Sequence, residues 1–376
     1  MTASRRVWIS VGAVALLILG AFWQTGRALG PDAKLWDDLV SKGVTYLRST
    51  QAADGSWSKE RSLGISGVVM TALLRSGKLP DNDPTVVRGL RFLESLVNPR
   101  EGHIAGENPR DQLKNYVTSV NVLAFAEANK DGRYNKIVQD GARYLKMLQW
   151  DEGEEILLKD NRYGGAGYDS KSRPDLSNTQ FFVDALRAAG VPPDDPAYKK
   201  VVVFVSRCQN LKSEYNDQPW AGKVNDGGFI YTCAGDPESK AGDDLRSYGS
   251  MTYAGVKSLI YAGVSKDDKR VQAAWEWIRK NYTVDRNPGF PPGRDQLGLY
   301  YYYHTMAKCL DAVGVDYVED GQGVKHDWRK DITEALAKRQ RPDGSWVNPA
   351  DRWMEGDPNL VTAYALLALS YCKPKK

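Results

Sequence analysis

Two short strings far apart in the chain, Gln51-Ala-Ala-Asp54-Gly55-Ser56-Trp57 and Gln340-Arg-Pro-Asp343-Gly344-Ser345-Trp346, share one layout. A helix-like stretch ends in Gln, a Gly-bearing turn follows, Trp stands two residues beyond the Gly, and a second apolar helix begins. Recurrence of a helix–turn–helix unit means a fold built from repeats.

Walking outward from these strings, six hairpins are predicted: 31–50 with 64–76, 84–96 with 115–129, 134–148 with 175–190, 196–209 with 246–263, 268–282 with 298–314, and 328–340 with 359–371. First helices are striped, with Leu39, Val40, Val44 and Leu47 apolar among Lys and Asp, as expected of helices with one wet face. Second helices such as 253–262 and 363–369 carry almost no charge and belong inside the array. Gly77, Gly190, Gly263 and Gly314 close second helices, and Pro84 and Pro196 open first ones. The turn glycines Gly55, Gly102, Gly165, Gly228, Gly289 and Gly344 are 47, 63, 63, 61 and 55 residues apart. A tetratricopeptide array would repeat every 34 residues or so. The expected fold is therefore all-α, a closed (α/α)6 barrel over residues 31–376.

The 376 residues suffice for one such array, and 42% hydrophobic content excludes a disordered chain. A scattered net charge of +4 gives no electrostatic case for nucleic acid. The 11 Trp and 20 Tyr, against 8 Phe, suit Trp-anchored turns and an aromatic-lined cavity. Arg5 and Arg6 precede an uncharged run over residues 7–23, read as a signal peptide or single-pass membrane anchor within residues 1–30. The body is accordingly expected outside the cytoplasm, periplasmic or in the cell envelope. Cys208 and Cys233 could staple a loop, whereas Cys309 and Cys372 lie on apolar helices.

The unit Lys42-Gly43-x-x-Tyr46-Leu47-x-x-x-Gln51-x-x-x-Gly55-x-Trp57 resembles the QW motif of squalene–hopene cyclases, and Gly227-Gly228-Phe229 resembles the turns of protein prenyltransferase β subunits. The resemblance spans residues 31–376 as architecture. For cyclases it implies an acid in a DxDD string, nearest here to Ala241-Gly242-Asp243-Asp244, whose first Asp is missing. Asp243 and Asp244 are the candidate catalytic acids, against the reading that an Asp before a helix is a cap. For prenyltransferases it implies zinc held by Asp, Cys and His. Tyr303-His304 matches the His segment, but Arg246 stands where the Cys would follow Asp244, so no metal or other cofactor is expected. Candidate cavity residues are Asn178, Gln180, Asp184, Tyr248, Thr252, Tyr301, Tyr303 and His304. The segment 211–245 reads as a lid or an insertion. These signals leave three functions: a diverged toroid binding a hydrophobic or glycan-like ligand or a protein partner; a terpenoid cyclase; and an extracytoplasmic carbohydrate-active enzyme.

Overall fold

The computed structural model describes residues 29–107, 113–242 and 244–375, so the run 7–23 lies outside the described residues. Six helices form an outer layer: α1 (Ala33–Ser49), α3 (Pro84–Glu94), α5 (Asn135–Met147), α7 (Pro196–Arg207), α9 (Lys269–Asn281) and α11 (Trp328–Ala337). Six alternate with them as an inner layer: α2 (Leu63–Ser76), α4 (Lys114–Ala128), α6 (Leu176–Ala188), α8 (Gly249–Tyr261), α10 (Leu299–Val313) and α12 (Pro358–Tyr371). Each inner helix packs on the next, and α12 returns to α2, closing the ring. A small antiparallel hairpin, β1 (Val318–Glu319) with β2 (Lys325–His326), decorates the outside between α10 and α11. Among the described residues no helix is long and apolar enough to cross a membrane.

The layers follow from patterning. Helix α1 buries one stripe, Leu39, Val40, Gly43, Val44 and Leu47. Helix α12 buries every residue from Leu360 to Leu369. Five outer helices start on an Asp cap: Asp32, Asp83, Asp195, Asp268 and Asp327 each accept a backbone N–H of the first turn. The Asp-Asp pairs at 194–195 and 267–268 are thereby accounted for as caps.

The recurring Gln, Gly and Trp are circumferential ties. Gln149 lies two residues beyond α5, where its Nε2 donates to Gly164 O (2.9 Å) of its own turn and to Ala197 O (3.1 Å) in the next outer helix. Gln209 repeats this with Gly227 O and Arg270 O, both at 2.8 Å. Gln51 does so with Gly55 O and Thr85 O, and Gln340 with Gly344 O and Leu39 O, which closes the seam between the last unit and the first. Trp57 donates Nε1–H to Leu47 O (2.7 Å), and Trp346 donates to Leu336 O (2.8 Å). Both rings reach the following outer helix, where Gly89 and Gly43 leave room for them. A further tie was not anticipated. The N–H of Trp57, Ile104, Ala166, Phe229 and Trp346 donates to Ser66, Thr118, Thr179, Thr252 and Thr362, a hydroxyl on the partner inner helix.

In the double-glycine turns, Gly164 and Gly227 are the residues with positive φ, one position before the expected Gly165 and Gly228. Each sits against a backbone carbonyl of the next outer helix, Lys200 O or Ala273 O, which a Cβ would strike. The helices expected to run to Gln209 and Gln340 stop at Arg207 and Ala337, because a Gln inside the helix could not reach two carbonyls.

Gly164→Ala and Gly190→Ala separate conformation from contact. Both glycines have positive φ, but nothing lies within 4 Å of a Cβ at Gly190. Gly190→Ala is expected to cost about 1 kcal/mol in urea unfolding, and Gly164→Ala about 2 kcal/mol more. Equal losses would mean that the carbonyl contact contributes nothing. Gln149→Met, which leaves Gly164 O without its donor and removes a second donor from Ala197 O, is expected to cost about 2 kcal/mol.

Candidate functional site

A cavity of about 330 Å³ opens where the inner helices begin. Tyr116 of α4, Phe181 of α6, Tyr301 of α10 and Tyr364 of α12 form its floor, while Tyr248 and Trp353 stand nearer the rim. The rings pack edge to face: Tyr116 on Phe181 (centroids 5.4 Å) and Tyr301 on Tyr364 (6.0 Å). The wall is mainly apolar, interrupted by Asn178, Ser177, Ser250, Lys240 and Glu355.

Two buried carboxyls flank this end of the ring. Glu355 precedes α12 and lines the cavity. Its Oε1 accepts from Tyr301 N (2.8 Å) at the start of α10, and its Oε2 accepts from Asn348 Nδ2 (2.7 Å). Burial outweighs these donors and pushes the carboxyl up to about 7, so near neutrality both its protonated and its ionised forms are populated. Asp175 caps α6, accepting from Asn178 N (2.8 Å) and Asn178 Nδ2 (2.7 Å), and burial raises it to about 6. The Tyr231 hydroxyl donates to Asp175 as well. At the rim, Trp353 and Met354 hold left-handed backbone, φ +58° and +64°, a strained conformation for large side chains.

Of the sequence candidates, the structure brings Asn178, Tyr248 and Tyr301 to this cavity. Gln180 and Asp184 lie beneath it, fully buried: Gln180 Nε2 donates to Tyr301 Oη (3.0 Å), and Asp184 takes two lysines, Lys257 and Lys308. His304 lines a second cavity on the opposite side of the ring. Thr252 and Tyr303 face away from both cavities. The Thr252 hydroxyl accepts from Phe229 N, and Tyr303 donates to Val284 O (2.5 Å), so both fasten loops.

Asp244 must be corrected. It is exposed, paired to Arg246 at 2.8 Å, and held below the usual carboxylate range by that guanidinium, so it carries no proton to give at neutral pH. Asp243 lies outside the described residues. The segment 211–245 contributes Tyr231 and Lys240 to the cavity wall and is anchored by Thr232 Oγ1 donating to Pro174 O (2.7 Å). Among the described residues no three His, Cys, Asp or Glu side chains converge as metal ligands. Cys208 and Cys233 are buried free thiols that hydrogen-bond to each other.

Sequence reasoning missed Glu355, Asp175 and Trp353. Each sits in a turn just ahead of an inner helix, the position that in this ring faces the cavity mouth. That rule would have found them.

No protein-family model and no curated protein matches this sequence. Solved structures do. Type II terpene cyclase MstE from Scytonema superposes with a TM-score of 0.55 in an apo tyrosine-to-phenylalanine variant, at 12% identity over 91% of this chain and 97% of that one. An aspartate-to-alanine variant bound to its product, merosterolic acid A, gives 0.54, 12%, 90% and 97%. The apo enzyme gives 0.52, 13%, 90% and 98%. The chain therefore has the α/α-toroid fold of type II terpene cyclases.

Glu355 binds a proton more readily folded, near pH 7, than its ordinary value of 4.5 would allow, so its contribution to stability falls as pH rises through that window. Relative to Glu355→Gln, the wild type is expected to lose about 3 kcal/mol of unfolding free energy between pH 4 and pH 8. A pH-independent difference would show that Glu355 titrates normally.

Proposed function

We propose that this toroid binds a neutral linear isoprenoid in the aromatic cavity and cyclises it by protonation, with Glu355 as the acid. The observation that carries this reading is a buried carboxyl, partly protonated near neutral pH, opening onto a cavity walled by aromatic rings. The fold shared with MstE supports it only as architecture.

The chemistry would run as an isomerisation. The carboxyl proton passes to one carbon of a terminal alkene, whose π electrons form the new C–H bond. The π electrons of the next alkene then close a C–C bond onto the cation. A proton lost from a neighbouring carbon to solvent ends the sequence, and one taken from solvent restores the Glu355 carboxyl, so the substrate gains and loses no atoms overall. The carboxylate left behind is held by Asn348 and the N-terminal N–H groups of α10, whose dipole favours negative charge. The π-systems of Tyr116, Phe181, Tyr248 and Tyr301, which line the cavity, would stabilise the cation. A cavity of about 330 Å³ is at the small end for ligand sites and suits a chain shorter than squalene. Placement outside the cytoplasm, from residues 7–23, belongs to this proposal and favours a neutral substrate over an isoprenyl diphosphate.

Incubation of the purified protein with farnesol, geranylgeraniol and squalene, analysed by gas chromatography and mass spectrometry, tests it. Cyclised product is expected to fall by about a hundredfold or more in Glu355→Gln and to decline above pH 7 in the wild type, with isoprenoid binding by tryptophan fluorescence retained. Binding without product in the wild type overturns the catalytic reading and leaves a carrier. No binding overturns both.

A further inference from the structure

Where the inner helices end, a second cavity of about 200 Å³ lies on the far side of Phe181 and Tyr364, which line both cavities. Its outer part is reached from solvent past the half-exposed pair Arg75 and Glu127 (Nε–Oε2 2.9 Å). Its walls are polar and apolar in nearly equal measure, the aliphatic part including Val68, Val120 and Leu123. At its base stand Lys308 and His304, one turn apart on α10.

The charges around this cavity do not balance. Lys308 Nζ and Lys257 Nζ, both buried, share one carboxylate oxygen, Asp184 Oδ2, at 2.6 and 2.7 Å. Arg75 has Glu127 and also donates to the Tyr371 hydroxyl, and Arg187 lies over the Tyr261 ring (4.4 Å). With Asp311, whose charge also reaches Tyr371 and Tyr261, four cations face three carboxylates. His304 is 4% exposed, yet its Nδ1 has no hydrogen-bond partner among the described residues. Burial, then the positive charge of Lys308 and Lys257, holds its imidazole well below the ordinary value, so it is neutral and able to present an N–H. Surplus positive charge at the base of a cavity whose wall is in part aliphatic is the complement of an amphipathic anion.

We infer that this second cavity binds a small carboxylate with a short hydrocarbon tail: the carboxylate accepts from Lys308 and Arg75, and the tail lies against Val68, Val120 and Leu123. A phosphate would bring its charge into the same place but leave the aliphatic walls unfilled. The site is separate from the Glu355 cavity, and neither proposal rests on the other.

Titration calorimetry of the full chain with hexanoate, hexanol and inorganic phosphate tests this. Hexanoate is expected to bind at least about tenfold more tightly than hexanol and than phosphate. Lys308→Met is expected to reduce hexanoate affinity by more than about tenfold while keeping the fold, since Asp184 retains Lys257 as partner. Leu123→Trp, which fills the tail region without touching a charge, is expected to do the same. Equal affinity for hexanol, tighter phosphate binding, no hexanoate binding, or unchanged affinity in Leu123→Trp would each overturn the inference.

Discussion

One carboxamide, hydrogen-bonded to two backbone carbonyls at once, holds this ring together. A glutamine just past an outer helix has two N–H groups and no helical duty. It gives one to its own turn and one to a carbonyl in the N-terminal half of the neighbouring helix. The turn carbonyl would otherwise lack a donor, and the helix carbonyl gains a second one, so each amide is under pressure to stay where it is. Gln340 does this across the seam to Leu39, so the bond that follows α1, α5 and α7 also joins the last hairpin to the first. Without closure the inner helices, apolar all round, would have no partner on one flank, and there would be no cavities to discuss.

Closure also fixes polarity. All six inner helices begin at one mouth and end at the other. Their N-terminal ends, positive in dipole, surround the larger cavity, and the acids found there are Asp175, Glu355 and Asp357. Their C-terminal halves carry Arg75, Arg187, Lys257 and Lys308. The dipoles favour these acids and these bases, although Lys240 stands at the first mouth and Glu127, Asp184 and Asp311 at the second. They do not explain why Glu355 is buried deep enough to titrate near neutrality, or why His304 Nδ1 lacks a hydrogen-bond partner among the described residues.

The architecture was legible because it is periodic. Gln, Gly and Trp recur with spacings that only a large closed repeat permits, and the contrast between striped and uncharged helices assigned each to its layer. The site was legible only in part, because a cavity is made by what surrounds it. Asn178, Tyr248 and Tyr301 were found as polar residues on uncharged helices. Gln180 and Asp184 carry the same signature but spend it on burying two lysines. Thr252 looked like a cavity hydroxyl and is one of five hydroxyls that hold a turn. Asp244 drew attention through a motif, and its neighbour Arg246, two residues on, neutralises it. Glu355 drew none, because an acid in a Gly-rich turn looks like solvent-facing loop until the fold closes over it.

The ends of the described chain meet beside this seam: Lys375 N donates to Leu29 O (3.3 Å), and Gly30 N donates to Asp327 Oδ2 (2.7 Å). The order of hairpins along the chain is therefore arbitrary with respect to the finished object. A short bridge from residue 375 to residue 29, with a cut in an exposed turn elsewhere, describes a circularly permuted molecule with the same two mouths and the same belt of amides.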